Sequence, residues 1–148
     1  MLTRNLQVTD SDAASIRTKR RKGWKKFVFY NFPALSWLIA IFFITALPSS
    51  NFGESHLFSG DKVIHALIFF ILVSLQMQGL IKQQLFPNLR YEAGFYALLY
   101  GFFISGVTEI IQGLFLQSRS ADPYDYIANT FGCVAGWFFF NYIILQKR

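Results

Sequence analysis

Four long apolar segments, nearly free of charge and separated by short polar stretches, dominate the sequence. Their predicted helices span about residues 32–47, 63–81, 93–116 and 125–145. A helix needs about 20 residues to cross the hydrocarbon core of a bilayer, so the last three are adequate and the first must borrow residues 27–30. The runs do not alternate apolar with polar residues, which disfavours a membrane β-barrel. The pattern predicts an all-α, integral membrane four-helix bundle.

Composition agrees with a membrane protein and excludes other classes. Of the 148 residues, 53% are hydrophobic and only 15% are charged, whereas a soluble domain carries about a quarter charged residues. The single cysteine, Cys133, excludes an internal disulfide framework. The chain is therefore too apolar for a soluble, disordered or collagen-like protein.

The net charge of +6 belongs to one end of the chain. Residues 1–31 hold eight cations and two acids, and the remaining residues balance to zero. The basic run Lys19–Lys22 could indicate nucleic-acid binding, but directly before an apolar segment it favours a cytoplasmic anchor facing anionic lipid head groups. We expect no nucleic-acid partner, a basic, disordered cytoplasmic tail over residues 1–31, and a membrane domain over residues 32–146.

The distribution of lysine and arginine predicts the orientation. With a cytoplasmic N-terminus, the inner segments hold twelve of these residues, and the outer loops hold only Lys62 and Arg119. Cytoplasmic segments of membrane proteins are enriched in lysine and arginine. Both termini are therefore predicted to face the cytoplasm.

Polar residues in or beside the predicted helices fall at their outer ends. This predicted binding set comprises Asp61, Lys62, His65, Glu109, Gln112, Arg119, Asp122, Asp125 and Asn129. Spacings of three or four residues place several of them in pairs on one helical face. An ionisable group in the bilayer costs about 2.5–3.5 kcal/mol at mid-span and normally faces the bundle interior. We therefore expect the set to converge in the outer leaflet, with His65 and Glu109 as candidate proton-transfer groups.

Several of these residues also have structural interpretations. Asp122 before Pro123 is typical of a helix N-cap, and Asn129 could be an interhelical hydrogen-bonding group. Ala128, Gly132 and Gly136 form a small-residue face that predicts helix packing. The sequence leaves both the functional and the structural interpretation of Asp122 and Asn129 open.

A metal site is a further alternative for the same residues. It would use Asp61 and His65 with one or more of Glu109, Asp122 and Asp125, because carboxylates and imidazole suit several divalent ions. No tight ligand motif, such as paired histidines on one helix, is present. We expect neither a metal nor a cofactor.

The order of several separated motifs resembles the VanZ-like family of small bacterial membrane proteins. The motifs are Asp61-Lys62-x-x-His65, Glu109-x-x-Gln112, Arg119-Ser120-x-Asp122-x-x-Asp125 and Ala128-Asn129-Thr130-x-Gly132-x-x-x-Gly136. The resemblance covers about residues 33–146, and the basic segment before it is not part of the family pattern. It implies a multi-pass, four-helix protein of the bacterial cytoplasmic (inner) membrane. The family's namesake confers low-level resistance to the glycopeptide teicoplanin.

Two functions follow as hypotheses. In the first, the polar set binds or acts on a cell-envelope lipid or polymer, such as a lipid-linked component, and so influences glycopeptide susceptibility. In the second, the set is an internal ion-pair network, and the protein is an accessory subunit of a larger membrane complex. The residues leave the question of enzyme activity open, because no phosphate-binding loop, nucleophile elbow or dinucleotide fingerprint is present.

Overall fold

The computed structural model describes residues 10–45, 60–115 and 123–145, and within these ranges the chain is helical apart from short turns. The helices are α1 (Asp10–Thr45), α2 (Gly60–Lys82), the short α3 (Pro87–Tyr91), α4 (Ala93–Phe115) and α5 (Pro123–Phe139), which continues as a π-helical segment (Phe140–Leu145). Four of these helices are long and apolar enough to cross a membrane. The predicted all-α membrane bundle is confirmed.

Helix α1 differs from the expectation of a disordered tail, because it is one helix from Asp10 to Thr45 rather than starting near residue 32. Arginine, lysine and alanine are good helix formers, and acids in the first turn favour the positive end of the helix dipole. A helix of 36 residues is about 54 Å long, well beyond the ~30 Å hydrocarbon core. Its basic part therefore extends out of the membrane without breaking the helix.

Helix α2 lies at the centre of the bundle and contacts α1, α4 and α5. Its residues Phe69, Leu72 and Val73 are fully buried, whereas large apolar residues such as Phe43 and Phe103 are exposed on the outside of the bundle. The indole Nε1 of Trp37 on α1 donates a hydrogen bond to the carbonyl oxygen of Ile68, at 2.9 Å. This bond fixes the position of α1 along the axis of α2.

The small residues of α5 allow its backbone to approach α2 closely. A Cβ atom at Gly132 would overlap the carbonyl oxygen of Ala66, and one at Gly136 would lie 2.5 Å from the carbonyl oxygen of Phe70. Such contacts are typical of helices that pack through small residues in membranes. This close approach brings the polar residues at the start of α5 next to those of α2.

The turn between α2 and α3 is held by one buried amide side chain. Nε2 of Gln83 donates to the carbonyl oxygen of Phe86 at 2.7 Å, and the Phe86 N–H donates to Oε1 of Gln83 at 2.8 Å. Because an unmade buried hydrogen bond is costly, Gln83→Ala should lower the free energy of unfolding by about 1–3 kcal/mol. Thermal unfolding in a mild detergent measures the change. Gln84→Ala, at the exposed neighbouring position, is the control, and equal effects of the two substitutions would contradict the prediction.

Candidate functional site

Five buried or half-buried polar side chains meet at one end of the bundle, and we call them the polar cluster. They are Lys62 and His65 of α2, Glu109 of α4, and Asp125 and Asn129 of α5. Helices α2 and α5 begin at this end of the bundle, and α4 ends there. The antiparallel order of these helices therefore brings together residues that are far apart in the sequence.

Hydrogen bonds and ion pairs join the polar cluster into a continuous chain. Nζ of Lys62 lies 3.0 Å from Oδ1 of Asp125, and Nε2 of His65 lies 3.9 Å from Oδ2 of the same carboxylate. Nδ1 of His65 is 3.1 Å from Oδ1 of Asn129, whose Nδ2 donates to Oε1 of Glu109 at 3.4 Å. The cluster therefore links three helices through side chains alone.

The Asn129 amide lies between His65 and Glu109. Because Nδ2 of Asn129 donates to Glu109, Oδ1 faces His65 and can only accept a hydrogen bond. The ring nitrogen that faces this oxygen is Nδ1 of His65, at 3.1 Å. Asn129 therefore bridges His65 and Glu109 through the two ends of its amide group.

Most of the polar cluster is withdrawn from the surface of the protein. His65, Glu109, Asp125 and Asn129 expose 8% or less of their surface. Buried polar groups are costly unless they are hydrogen-bonded, and more so in a bilayer. The hydrogen bonds among His65, Asn129 and Glu109 offset part of this cost.

Two further residues lie beside the polar cluster. Gln112 is buried three residues after Glu109 on α4. The two side chains therefore lie on the same face of the helix, as their spacing predicts. The Tyr124 ring lies 5.6 Å from Nζ of Lys62 and makes a cation–π contact. Tyr124 is absent from the set predicted from the sequence, although an aromatic residue directly before Asp125 at a helix start could have indicated it.

The remaining predicted members cannot be placed. The Asp61 side chain, Arg119 and Asp122 lie outside the described residues, although the Asp61 backbone belongs to the first turn of α2. Their parts in the site, including the expected helix cap at Asp122, stay predictions.

Three members of the polar cluster have the donor types of a metal site. One ligand atom each from His65, Glu109 and Asp125 lies within 4.8 Å of the others. However, Lys62 already contacts Asp125, and the Asn129 amide bonds to both His65 and Glu109. These contacts favour a hydrogen-bonded network over a metal centre. That the protein needs neither metal nor cofactor stays a prediction.

An apolar groove runs along the outside of the bundle from the polar cluster, and we call it the α2–α5 groove. It has a volume of about 490 Å³ and is open because Ala66, Ala128 and Gly132 are small. Lys62 and Tyr124 lie at its polar-cluster end, and the other lining residues are apolar. A hydrocarbon chain in the surrounding lipid could therefore lie in this groove with its polar end beside Lys62.

Comparison with protein families matches residues 11–145 to VanZ/LLP1. The match includes most of the basic part of α1, so the expectation that this segment lies outside the family pattern was wrong. Comparisons with curated proteins and with solved structures gave no significant match. The family match covers nearly all of the chain, including the four helices that are long and apolar enough to cross a membrane. The chain belongs to the VanZ/LLP1 family.

Proposed function

We propose that this protein binds or acts on a lipid-linked component of the bacterial cell envelope and thereby influences susceptibility to glycopeptides such as teicoplanin. The observation that carries the proposal is the α2–α5 groove, which ends at Lys62 and Tyr124 beside the polar cluster. The apolar groove suits a hydrocarbon chain. The cation, the aromatic ring and the buried hydrogen-bonding groups suit a polar head group.

The proposal places the polar cluster in the outer leaflet of the bacterial cytoplasmic membrane. Lysine and arginine strongly favour the opposite end of the predicted helices, which would face the cytoplasm together with both termini. An envelope precursor or polymer would then reach the cluster from the side of the membrane on which the cell wall is built.

The charges of the polar cluster restrict the kind of ligand. Lys62 is paired with Asp125, and Glu109 adds a second carboxyl group. A phosphate would have to share Lys62 with Asp125, with the neutral groups Gln112 and Asn129 as further hydrogen-bonding partners. If the ligand reacts, His65 and Glu109 would exchange its protons, because imidazole and carboxyl groups are the usual acid–base catalysts.

Complementation of a deletion strain tests the proposal. We expect Glu109→Gln and His65→Ala to lose most of the difference in teicoplanin susceptibility between the deletion strain and the complemented strain, at unchanged membrane levels of the protein. Glu92→Gln is the matched control, since it makes the same chemical change at an exposed position next to the other end of α4. It should complement fully.

Vancomycin susceptibility, measured in parallel, shows whether the effect extends to a second glycopeptide. Full complementation by both site variants at normal protein levels would refute a working site at the polar cluster.

A second candidate function is that of an accessory subunit in a larger membrane complex. It is favoured by the hydrogen bonds and the ion pair that join the side chains of the polar cluster across three helices, as in an internal network. In that case Glu109→Gln should lower the amount of protein in the membrane. Purification in a gentle detergent without any stoichiometric partner would count against this function.

A further inference from the structure

A basic groove lies at the opposite end of the bundle from the polar cluster, where α1 passes the turn between α2 and α3. It has a volume of about 570 Å³, and its lining includes Lys19, Arg20, Lys22 and Lys26 from α1 and Leu85 from the turn. Two separate segments of the chain therefore form it. It shares no residue with the polar cluster or the α2–α5 groove.

Close packing holds the two walls of the basic groove together. A Cβ atom at Gly23 would lie 3.0 Å from Cδ1 of Leu85, so the glycine lets the Leu85 side chain pack directly against the backbone of α1. The rings of Trp24, Phe27 and Phe86 contact one another edge to face, with centroids 5.4 to 5.8 Å apart. The basic groove is therefore a defined surface and not merely a charged run.

The charge of the basic groove is of one sign. Four cations line it, and no acid is present among the described residues of its lining. Lys19, Lys22 and Lys26 follow at i, i+3 and i+7, so they share one face of α1. A phosphate-bearing ligand is the chemical class that such a surface recognises.

The position of the basic groove indicates where that phosphate comes from. The groove lies where the charged part of α1 gives way to its apolar part, and Ile16 and Leu85 add apolar surface to its walls. Trp24 and Phe86 are partly exposed beside it, as aromatic residues at a membrane interface commonly are. In a bilayer, the lipid head groups lie at this boundary between the charged and the apolar parts of a spanning helix.

We infer that the basic groove is a binding site for the phosphate head group of an anionic membrane lipid. This goes beyond a diffuse attraction of the basic segment, because diffuse attraction would treat all faces of α1 alike. The inference does not depend on the proposed function of the polar cluster.

Two triple variants of the full chain test the inference. Lys19→Gln/Lys22→Gln/Lys26→Gln removes three charges from the basic groove. Arg17→Gln/Arg21→Gln/Lys25→Gln removes three charges from the other side of the same helical segment and is the matched control. All six residues are exposed, so both variants should fold.

The measurement is native mass spectrometry of the protein in an uncharged detergent, titrated with phosphatidylglycerol, phosphatidylcholine or inorganic phosphate. We expect phosphatidylglycerol to bind best, the groove variant to weaken this binding roughly tenfold or more, and the control to weaken it by less than about threefold. Equal weakening in the two variants, or equal binding of the two lipids, would overturn the inference. Displacement of phosphatidylglycerol by an equal concentration of inorganic phosphate would show a free-anion site instead of a lipid site.

Discussion

Replacing Gly132 with alanine is expected to lower the free energy of unfolding by about 2–3 kcal/mol. The added Cβ would overlap the carbonyl oxygen of Ala66, and a backbone atom cannot move aside by changing rotamer. Helices α2 and α5 would have to separate, which would weaken their packing along the whole interface. Unfolding of the purified protein in mixed micelles, followed by circular dichroism, measures the change.

Gly106→Ala is the matched control for this substitution. A Cβ atom there would have its nearest neighbour at 4.0 Å, in the Tyr126 ring, which is ordinary contact. Since alanine favours helix more than glycine does, this variant should be neutral or stabilised by up to about 1 kcal/mol. If both variants had the same stability, the close approach of α5 to α2 would be refuted.

Replacing Lys62 with methionine is expected to destabilise the protein by about 2–5 kcal/mol. The substitution keeps the apolar stem but leaves the Asp125 carboxylate, now 3.0 Å from Nζ of Lys62, without that cation. Removing one partner of a buried ion pair costs more than the pair itself contributes, because the remaining charge stays desolvated. Lys82→Met, at an exposed position in the last turn of the same helix, is the control and should change stability by less than about 0.5 kcal/mol.

A double-mutant cycle shows whether this loss arises from the contact with Asp125. Adding Asp125→Asn to Lys62→Met removes the uncompensated charge, so the double variant should recover part of the stability that Lys62→Met loses. A coupling energy of at least about 0.5 kcal/mol is expected for residues in contact. Strictly additive losses would mean that the two side chains do not interact.

These stability measurements also help to separate the two candidate functions of the polar cluster. A structural network predicts that loss of stability and loss of complementation occur together in the cluster variants. A ligand site predicts variants that remain folded in the membrane and yet fail to complement. Glu109→Gln is the most informative variant, because it preserves the shape of the side chain while it removes the carboxyl group.

Much of the fold was predictable, because burial in lipid imposes a simple rule on composition. Every membrane span must be long, apolar and helical, so α2, α4 and α5 lie close to their expected ranges. The extension of α1 to Asp10 was missed because charged helix formers outside the membrane have no hydropathy signal. The turn held by Gln83 was also missed, since its bonds to Phe86 depend on local geometry that composition does not encode.

The candidate site was predictable as a region and not as a set of contacts. Alternating helix direction places Lys62, Glu109 and Asp125 at one end of the bundle. Which of them touch depends on the rotation of each helix about its axis, and that rotation is set by packing such as Gly132 against Ala66. The pairing of His65 with Asn129, and the contact of Tyr124 with Lys62, follow from that packing.

The sequence by itself determined the helical class, the approximate spans and the end of the bundle at which polar groups collect, because each depends only on residue type and order along the chain. The tertiary structure decided the central place of α2, the chain of contacts from Lys62 to Glu109, the α2–α5 groove and the basic groove. Each of these depends on how closely two helices approach and on which faces meet. Both are set by how side chains from distant parts of the chain pack against one another.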